Sequence, residues 1–208
     1  MNQREFHWVP LLSTVLLAAA FWYITFFLTW GNFWLKISLS AAILAGLSLW
    51  LQPINRAEWR FDGSAIVLGC LSAIALYGIF WSGKFIAIHL LPFADQQIGM
   101  IYGKGDDTSV WLIAGLLLFV TGPSEELYWR GYLQRQLAER FGNWYGGILA
   151  TALYAGVHLW SGNFMLVGAA AVAGIFWGGM YGYLGRLTPV IISHSLWSAV
   201  IFTVLPLS

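Results

Sequence analysis

The chain of 208 residues is 59% hydrophobic and only 9% charged, with a formal net charge of +1. A soluble domain carries about 25% charged residues, so this composition predicts an integral membrane protein, and the length suits one helical domain. The small net charge argues against nucleic-acid binding. The single cysteine, Cys70, excludes a disulfide framework within the chain.

The apolar segments of the chain are predicted to be membrane helices, because a span needs about 20 apolar residues. The first segment is too long for the core of a signal peptide and has no clear cleavage site, so we interpret it as a span. We expect an all-α integral membrane protein of about seven helices, or eight if residues 86–91 form a re-entrant piece, with residues 92–108 as a loop. The candidate spans are residues 11–30, 37–51, 64–81, 109–127, 145–160, 164–184 and 189–207.

The basic residues predict an orientation in the membrane, since Lys and Arg favour the cytoplasmic side. A cytoplasmic N-terminus and seven spans place most arginines inside and the three lysines outside. The inner set is Arg4, Arg56, Arg60, Arg130, Arg135, Arg140 and Arg186, and the outer set is Lys36, Lys84 and Lys104, together with Asp95, Asp106 and Asp107.

A few ionisable residues lie within or beside the apolar runs, where charge is costly and therefore indicates function. Glu125, Glu126 and Arg130 follow the fourth run, His158 lies near the end of the fifth, and His194 lies early in the seventh. Glu126 and Arg130 are four residues apart on a helix and are predicted to pair. Glu125 is rotated away from that face, so it is free for chemistry.

The distance of each residue from its helix end shows whether the three side chains can lie at the same depth in the membrane. Glu125 lies 17 residues before Gly142, and His158 lies 16 residues after it. In an antiparallel hairpin both are therefore about 25 Å from the turn. His194 lies only eight residues after Arg186, which is about 12 Å. The three converge if the hairpin projects beyond the other helix ends by about 13 Å, or if the helices tilt.

One carboxylate and two imidazoles can hydrolyse a bond in two ways. Glu125, His158 and His194 can ligate Zn²⁺ and leave a fourth position for water. Alternatively, Glu acts as a general base on water, assisted by one His, while the other His polarises the scissile carbonyl. Ser198 follows His194 by one turn on the same face, and its hydroxyl can donate to the oxyanion. The structural alternatives are an interfacial acidic cluster, core histidines, and a serine bonded to its own backbone.

Three short motifs in the second half of the chain resemble those of the type II CAAX prenyl endopeptidases and their bacterial relatives, the CPBP (or Abi) intramembrane proteases. The family motifs are EExxxR, FxxxH and HxxxN. Here they read EELYWR, YAGVH and HSLWS, so Tyr154 replaces Phe and Ser198 replaces Asn. The resemblance covers about residues 109–205. The matching positions are Glu125, Glu126, Arg130, His158 and His194.

The resemblance implies an all-helical membrane fold with its active site in a cavity within the bilayer. Residues 1–108 would form about three N-terminal spans, and residues 109–208 the catalytic core. In this family Zn²⁺ and a metal-free glutamate mechanism are both argued, and the sequence leaves that choice open. By carry-over, Glu125 and His158 activate water, His194 and Ser198 stabilise the oxyanion, and Glu126, Arg130 and Tyr154 support the site.

The sequence thus predicts an intramembrane endopeptidase acting on a membrane-associated protein or peptide, such as a CAAX-type, bacteriocin-leader or C-terminal sorting substrate. The short chain favours a bacterial member in the inner membrane, in contact with lipids and a membrane-anchored substrate. One alternative is a catalytically impaired scaffold or immunity protein of the same fold, which Ser198 favours. A proton-coupled transporter is a further alternative, although no inverted repeat supports it.

Overall fold

The computed structural model describes residues 8–105 and 107–207, so Arg4 and Asp106 of the orientation argument lie outside the described residues. None of the described residues forms a strand, which confirms the all-α prediction. The helices are Trp8–Phe26, Phe33–Leu51, Gly63–Leu90, Ala94–Tyr102, Val110–Phe141, Asn143–Val157, Phe164–Leu184 and Thr188–Val204.

The connections between these helices follow from local sequence. Asn32, Asp62 and Asn163 each accept a hydrogen bond from the backbone N–H three residues later, at 3.1, 2.9 and 2.9 Å. Such side chains satisfy the free N–H groups at a helix start. Gly142 and Gly185 end the preceding helices with φ of 84° and 61°, a conformation that glycine adopts without steric cost.

The outer surface of the bundle is apolar, as a bilayer requires. Leu16, Ile74 and Phe119 are 70%, 68% and 78% exposed, and a continuous apolar surface of this kind would be unfavourable in water. Within the described residues, five helices are long and apolar enough to cross a membrane: Trp8–Phe26, Phe33–Leu51, Gly63–Leu90, Val110–Phe141 and Phe164–Leu184. Thr188–Val204 is apolar but shorter. The protein is therefore an integral membrane protein, while the count of seven or eight spans and the orientation stay predictions.

Two segments differ from the expectation. The third helix continues through residues 86–90 without a break and reaches 28 residues, so these residues extend a helix. Residues 94–102, expected as loop, form a short helix. Its buried Ala94 and Ile98 are four residues apart and share one face, which packs inward while the polar residues face out.

The long helix Val110–Phe141 carries the first motif and is irregular around it. Two stretches, Leu117–Thr121 and Trp129–Gln134, have π-helical geometry. Pro123 lies between them and has no N–H to donate to the preceding turn. Wide turns of this type often occur at functional sites. Here they flank the heptapeptide that holds both glutamates.

The helix Asn143–Val157 packs closely on the end of the long helix at Gly146. A Cβ on Gly146 would overlap the backbone of Ala138, whereas one on Gly147 would meet only the Gln134 amide at 3.7 Å. We expect Gly146→Ala to lower the free energy of unfolding by about 1–3 kcal/mol through overpacking. Gly147→Ala, the control, should raise it slightly, since Ala is about 1 kcal/mol better in a helix. Thermal unfolding in detergent measures both, and equal melting temperatures would contradict the close packing.

Candidate active site

The residues predicted to be catalytic surround one cavity of about 420 Å³. Glu125, Tyr154, His158, His194 and Ser198 all line it, and each is at most 7% exposed. Most of the remaining wall is aliphatic or aromatic. The structure thus brings together side chains from three separate helical segments in one mostly apolar cavity.

Glu126 and Arg130 lie behind the cavity wall as a buried ion pair. Arg130 Nη1 donates to Glu126 Oε1 at 2.8 Å, as the four-residue spacing predicts. His194 Nδ1 contacts the same carboxylate oxygen at 2.6 Å, so this nitrogen carries the proton. Within the described residues Glu126 Oε2 has no partner. Glu126 therefore fixes both Arg130 and the ring of His194.

Arg130 is held by aromatic faces as well as by its carboxylate. Its guanidinium lies 4.8 Å from the ring centre of Tyr154 and 5.6 Å from that of Trp177. Cation–π contacts of this kind lower the cost of a buried charge. Trp177 also stacks on His194, with ring centroids 3.9 Å apart and planes inclined by 16°. The His194 ring is thus fixed on an edge by Glu126 and on a face by Trp177.

The glycines of the helix Phe164–Leu184 allow it to pack closely against the helices beside Arg130. A Cβ on Gly174 would lie 2.9 Å from Thr151, and one on Gly178 would lie 3.1 Å from the Gln134 side chain. Gln134 donates to the Gly178 carbonyl at 2.8 Å. Small residues on this face therefore bring the backbone of the helix against the long helix and the helix Asn143–Val157.

Glu125 points to the cavity and has a different partner from Glu126. The Tyr154 hydroxyl donates to Glu125 Oε2 at 3.1 Å. This donor exists only because Tyr stands where the family motif has Phe. The carboxylate is therefore oriented by a neutral hydrogen bond rather than by the buried guanidinium, and its other oxygen is left for a ligand in the cavity.

His158 is held through both ring nitrogens. Its Nδ1 is 2.7 Å from the Tyr154 carbonyl, which can only accept, so Nδ1 carries the proton. The indole N–H of Trp22 then donates to Nε2 at 3.4 Å. Trp22 is fully buried and belongs to the first helix. The ring is neutral in this arrangement, and its unprotonated nitrogen, Nε2, accepts a long, weak hydrogen bond.

The depth difference between the helices is removed by projection of the hairpin. Glu58 links the two levels: Arg135 Nη1 donates to its carboxylate at 3.2 Å, and the Leu187 N–H donates to its carbonyl at 3.0 Å. Arg135 is therefore near the level of Leu187. Gly142 lies seven residues beyond Arg135, which is about 10 Å of helix. That projection is close to the shift that His194 needs to reach the depth of Glu125.

Ser198 lies on the cavity wall with its hydroxyl available. Other hydroxyls in these helices bond to their own backbone, as Thr203 does to the Ala199 carbonyl at 2.6 Å and Ser48 does to the Ala45 carbonyl at 2.8 Å. Among the described residues the Ser198 hydroxyl has no such partner. The backbone-bonded alternative is thus not the arrangement in this structure.

The described side chains do not form a ready zinc site. No group of three or more His, Cys, Asp or Glu side chains in residues 8–105 and 107–207 is placed to hold a metal ion. The Nε2 lone pair of His158, which would bind zinc, accepts the Trp22 N–H instead. The residues as arranged do not fit a three-ligand zinc centre, and Zn²⁺ stays a prediction for metal analysis of the purified protein.

Two tryptophans of the site were not among the residues predicted from sequence. Trp22 contacts His158 from a helix far away in the chain, and Trp177 stacks on His194. The chain has 13 tryptophans, and the spacing of these two along their helices does not separate them from the others.

Comparison with known proteins agrees with this site. Residues 107–200 match the family model described as type II CAAX prenyl endopeptidase Rce1-like. No curated protein and no solved structure matches the chain. The matched region contains all three motifs and every cavity-lining residue predicted to be catalytic. Residues 107–200 are thus similar to the Rce1-like type II CAAX prenyl endopeptidase family.

Proposed function

We propose that the protein is an intramembrane endopeptidase that hydrolyses a peptide bond of a membrane-associated protein or peptide with a water activated by Glu125. The observation that carries the proposal is the convergence of Glu125, His158, His194 and Ser198 on one apolar cavity. A buried carboxylate beside imidazoles and a free hydroxyl suits acyl transfer to water. The family match supports a protease of the CAAX type.

The reaction follows from the positions of these groups. Glu125 takes a proton from a water molecule, whose oxygen attacks the carbonyl carbon while the carbonyl electron pair moves onto oxygen. The tetrahedral intermediate then collapses, the C–N bond breaks, and Glu125 returns the proton to the leaving nitrogen. The Tyr154 hydroxyl holds the Glu125 carboxylate in place during both transfers.

We assign stabilisation of the oxyanion to His194 and Ser198. The Nδ1 proton of His194 is committed to Glu126, so Nε2 can donate to an oxyanion only if the ring is an imidazolium. The Glu126 carboxylate would pair with that form across the Nδ1 contact. With Arg130 and Glu125 the cluster then contains two carboxylates and two cations, and its formal charges cancel. The oxyanion would receive one donor from His194 and one from the Ser198 hydroxyl.

The N-terminal helices add side chains to the site formed by residues 107–200. Trp22 orients His158, and Phe26 and Trp34 line the cavity. We therefore assign residues 109–208 to the catalytic core, and the N-terminal helices Trp8–Phe26 and Phe33–Leu51 supply part of its wall. The apolar wall favours a substrate segment without charge at the bond to be cut.

The proposal is tested with the purified protein in lipid nanodiscs and a library of apolar peptides with varied ends. Digestion in heavy-oxygen water should give products whose new carboxyl group carries the heavy isotope, as hydrolysis requires. These products should be absent with Glu125→Gln. Products that arise equally with that variant, or without isotope incorporation, would reject the proposal.

The role of Ser198 is tested by its own substitutions. Ser198→Ala removes the hydroxyl and should lower kcat about 10- to 100-fold, near the lower end of the effect of losing one oxyanion donor. Ser198→Asn restores the residue of the family motif and should retain or exceed wild-type kcat. Ser72→Ala is the control, because the Ser72 hydroxyl bonds to the Gly69 carbonyl. Unchanged kcat in Ser198→Ala would show that the hydroxyl does not contact the oxyanion.

A further inference from the structure

Two lysines line the cavity, and the proposed hydrolysis uses neither of them. Lys84 lies on the third helix, six residues before its end at Leu90. Lys104 lies in the turn after the helix Ala94–Tyr102. Both therefore lie at the end of the cavity formed by the connections between helices. Glu125 lies 15 residues along the long helix from Val110, which is about 20 Å of helix.

The described residues give neither lysine a carboxylate partner. The Lys104 ammonium lies over the rings of Phe26 and Phe33, at 5.8 and 5.1 Å from their centres. Desolvation by burial lowers the pKa of Lys104 below its usual range. Among the described residues neither lysine forms an ion pair, and Glu125 is the only carboxylate on the cavity wall.

Lys36 provides the contrast. Its ammonium donates to the carbonyls of Ile24 and Leu28 at 3.1 and 2.7 Å, at the end of the first helix. It does not line the cavity. Lys36 thus has a structural role, whereas Lys84 and Lys104 present charge to a space that is otherwise apolar. A cation in mostly apolar surroundings without an anionic partner favours an anionic ligand.

We propose that Lys84 and Lys104 form an anion subsite that binds a carboxylate of the peptide substrate while the adjoining apolar segment extends toward Glu125. This inference rests on the proposed function. The cavity has a carboxylate at its deep end and two ammonium groups at the other, so it is electrostatically polar. An acidic peptide end is repelled by the first and attracted by the second, which fixes the direction in which the peptide lies.

The subsite is tested by binding, without turnover, in the Glu125→Gln variant purified in an uncharged detergent. The probe is dansylaminoundecanoic acid, an apolar chain with a carboxylate, and the matched control is its amide. Trp34 and Trp197 line the cavity and transfer energy to the dansyl group. We expect the acid to bind about tenfold more tightly than the amide, as a charge-assisted hydrogen bond allows. Equal affinities of acid and amide would overturn the subsite.

Two variants test whether Lys84 and Lys104 cause the preference for the acid. Lys84→Met and Lys104→Met together should lower the affinity for the acid about tenfold and leave that for the amide unchanged. Lys36→Met should keep the full preference. Binding of the amide reports that the cavity is intact, so a misfolded variant is recognised by loss of both probes. A preference that survives the double substitution, or that disappears with Lys36→Met, would overturn the assignment.

Competition distinguishes a peptide carboxylate from a lipid phosphate. An apolar peptide with a free C-terminal carboxylate should displace the acid probe more effectively than its amidated copy. Stronger displacement by phosphatidylglycerol in mixed micelles would overturn the peptide assignment and identify a lipid site. Since no cleavage is measured, a retained preference in a protein that never hydrolyses peptides would reject the proposed function and leave the subsite standing.

Discussion

Replacement of Glu125 by Gln should abolish peptide hydrolysis while the protein stays folded. The amide has the size of the carboxylate, and its oxygen can still accept the Tyr154 hydroxyl that now bonds Glu125 Oε2 at 3.1 Å. It cannot take a proton from water at neutral pH. Positioned general bases contribute about 10²- to 10⁴-fold to rate, and here the same group also protonates the leaving nitrogen. We therefore expect kcat to fall by at least about 10³-fold.

The measurement compares initial rates and melting temperatures of matched Glu→Gln variants. Glu139 lies on the same long helix but is exposed near its end. Glu139→Gln should keep wild-type kcat, which excludes a general effect of charge removal. A Glu125→Gln protein that retains more than about a tenth of wild-type kcat would show that another group activates the water.

The arrangement of the two glutamates was predictable from sequence in part. The four-residue spacing of Glu126 and Arg130 predicts their pair, because side chains at that spacing meet on a helix. The contact of His194 with Glu126 was not predictable, since the two residues lie on different helices and are 68 positions apart in the sequence. The contact requires the hairpin that turns at Gly142 to extend beyond the end of the helix that carries His194. Glu58 links these two parts through its contacts with Arg135 and Leu187.

The helix boundaries were predictable where the length of an apolar segment sets them. They were less predictable where contacts with other helices set them. Hydropathy identifies Trp8–Phe26 and Phe164–Leu184 closely, because their apolar residues alone fill a span. The long helix Val110–Phe141 continues well beyond the predicted residues 109–127. Its polar second half, with Arg130 and Gln134, is stable because those side chains are buried against partners from other helices. Composition alone does not reveal such partners.

Loss of Arg130 should cost more stability than loss of any exposed arginine. Its guanidinium is 3% exposed and bonded to Glu126, which is completely buried. Arg130→Met keeps most of the volume but leaves the carboxylate without its permanent cation. Removing one partner of a buried ion pair costs about 3–5 kcal/mol, because the other charge stays desolvated. We expect the free energy of unfolding to fall by about this amount. Arg140→Met, at an exposed position near the end of the same helix, should change it by less than about 0.5 kcal/mol.

A double substitution separates the structural effect from the chemical one. In Arg130→Met with Glu126→Gln the buried charge is gone, and the amide oxygen can still accept the Nδ1 proton of His194. Stability should therefore return most of the way, as it does when both members of a buried pair are removed. Catalysis should not return, because a neutral amide cannot pair with the imidazolium that is proposed to donate to the oxyanion. A double variant that regains wild-type kcat would show that Glu126 acts on His194 only as a hydrogen-bond acceptor.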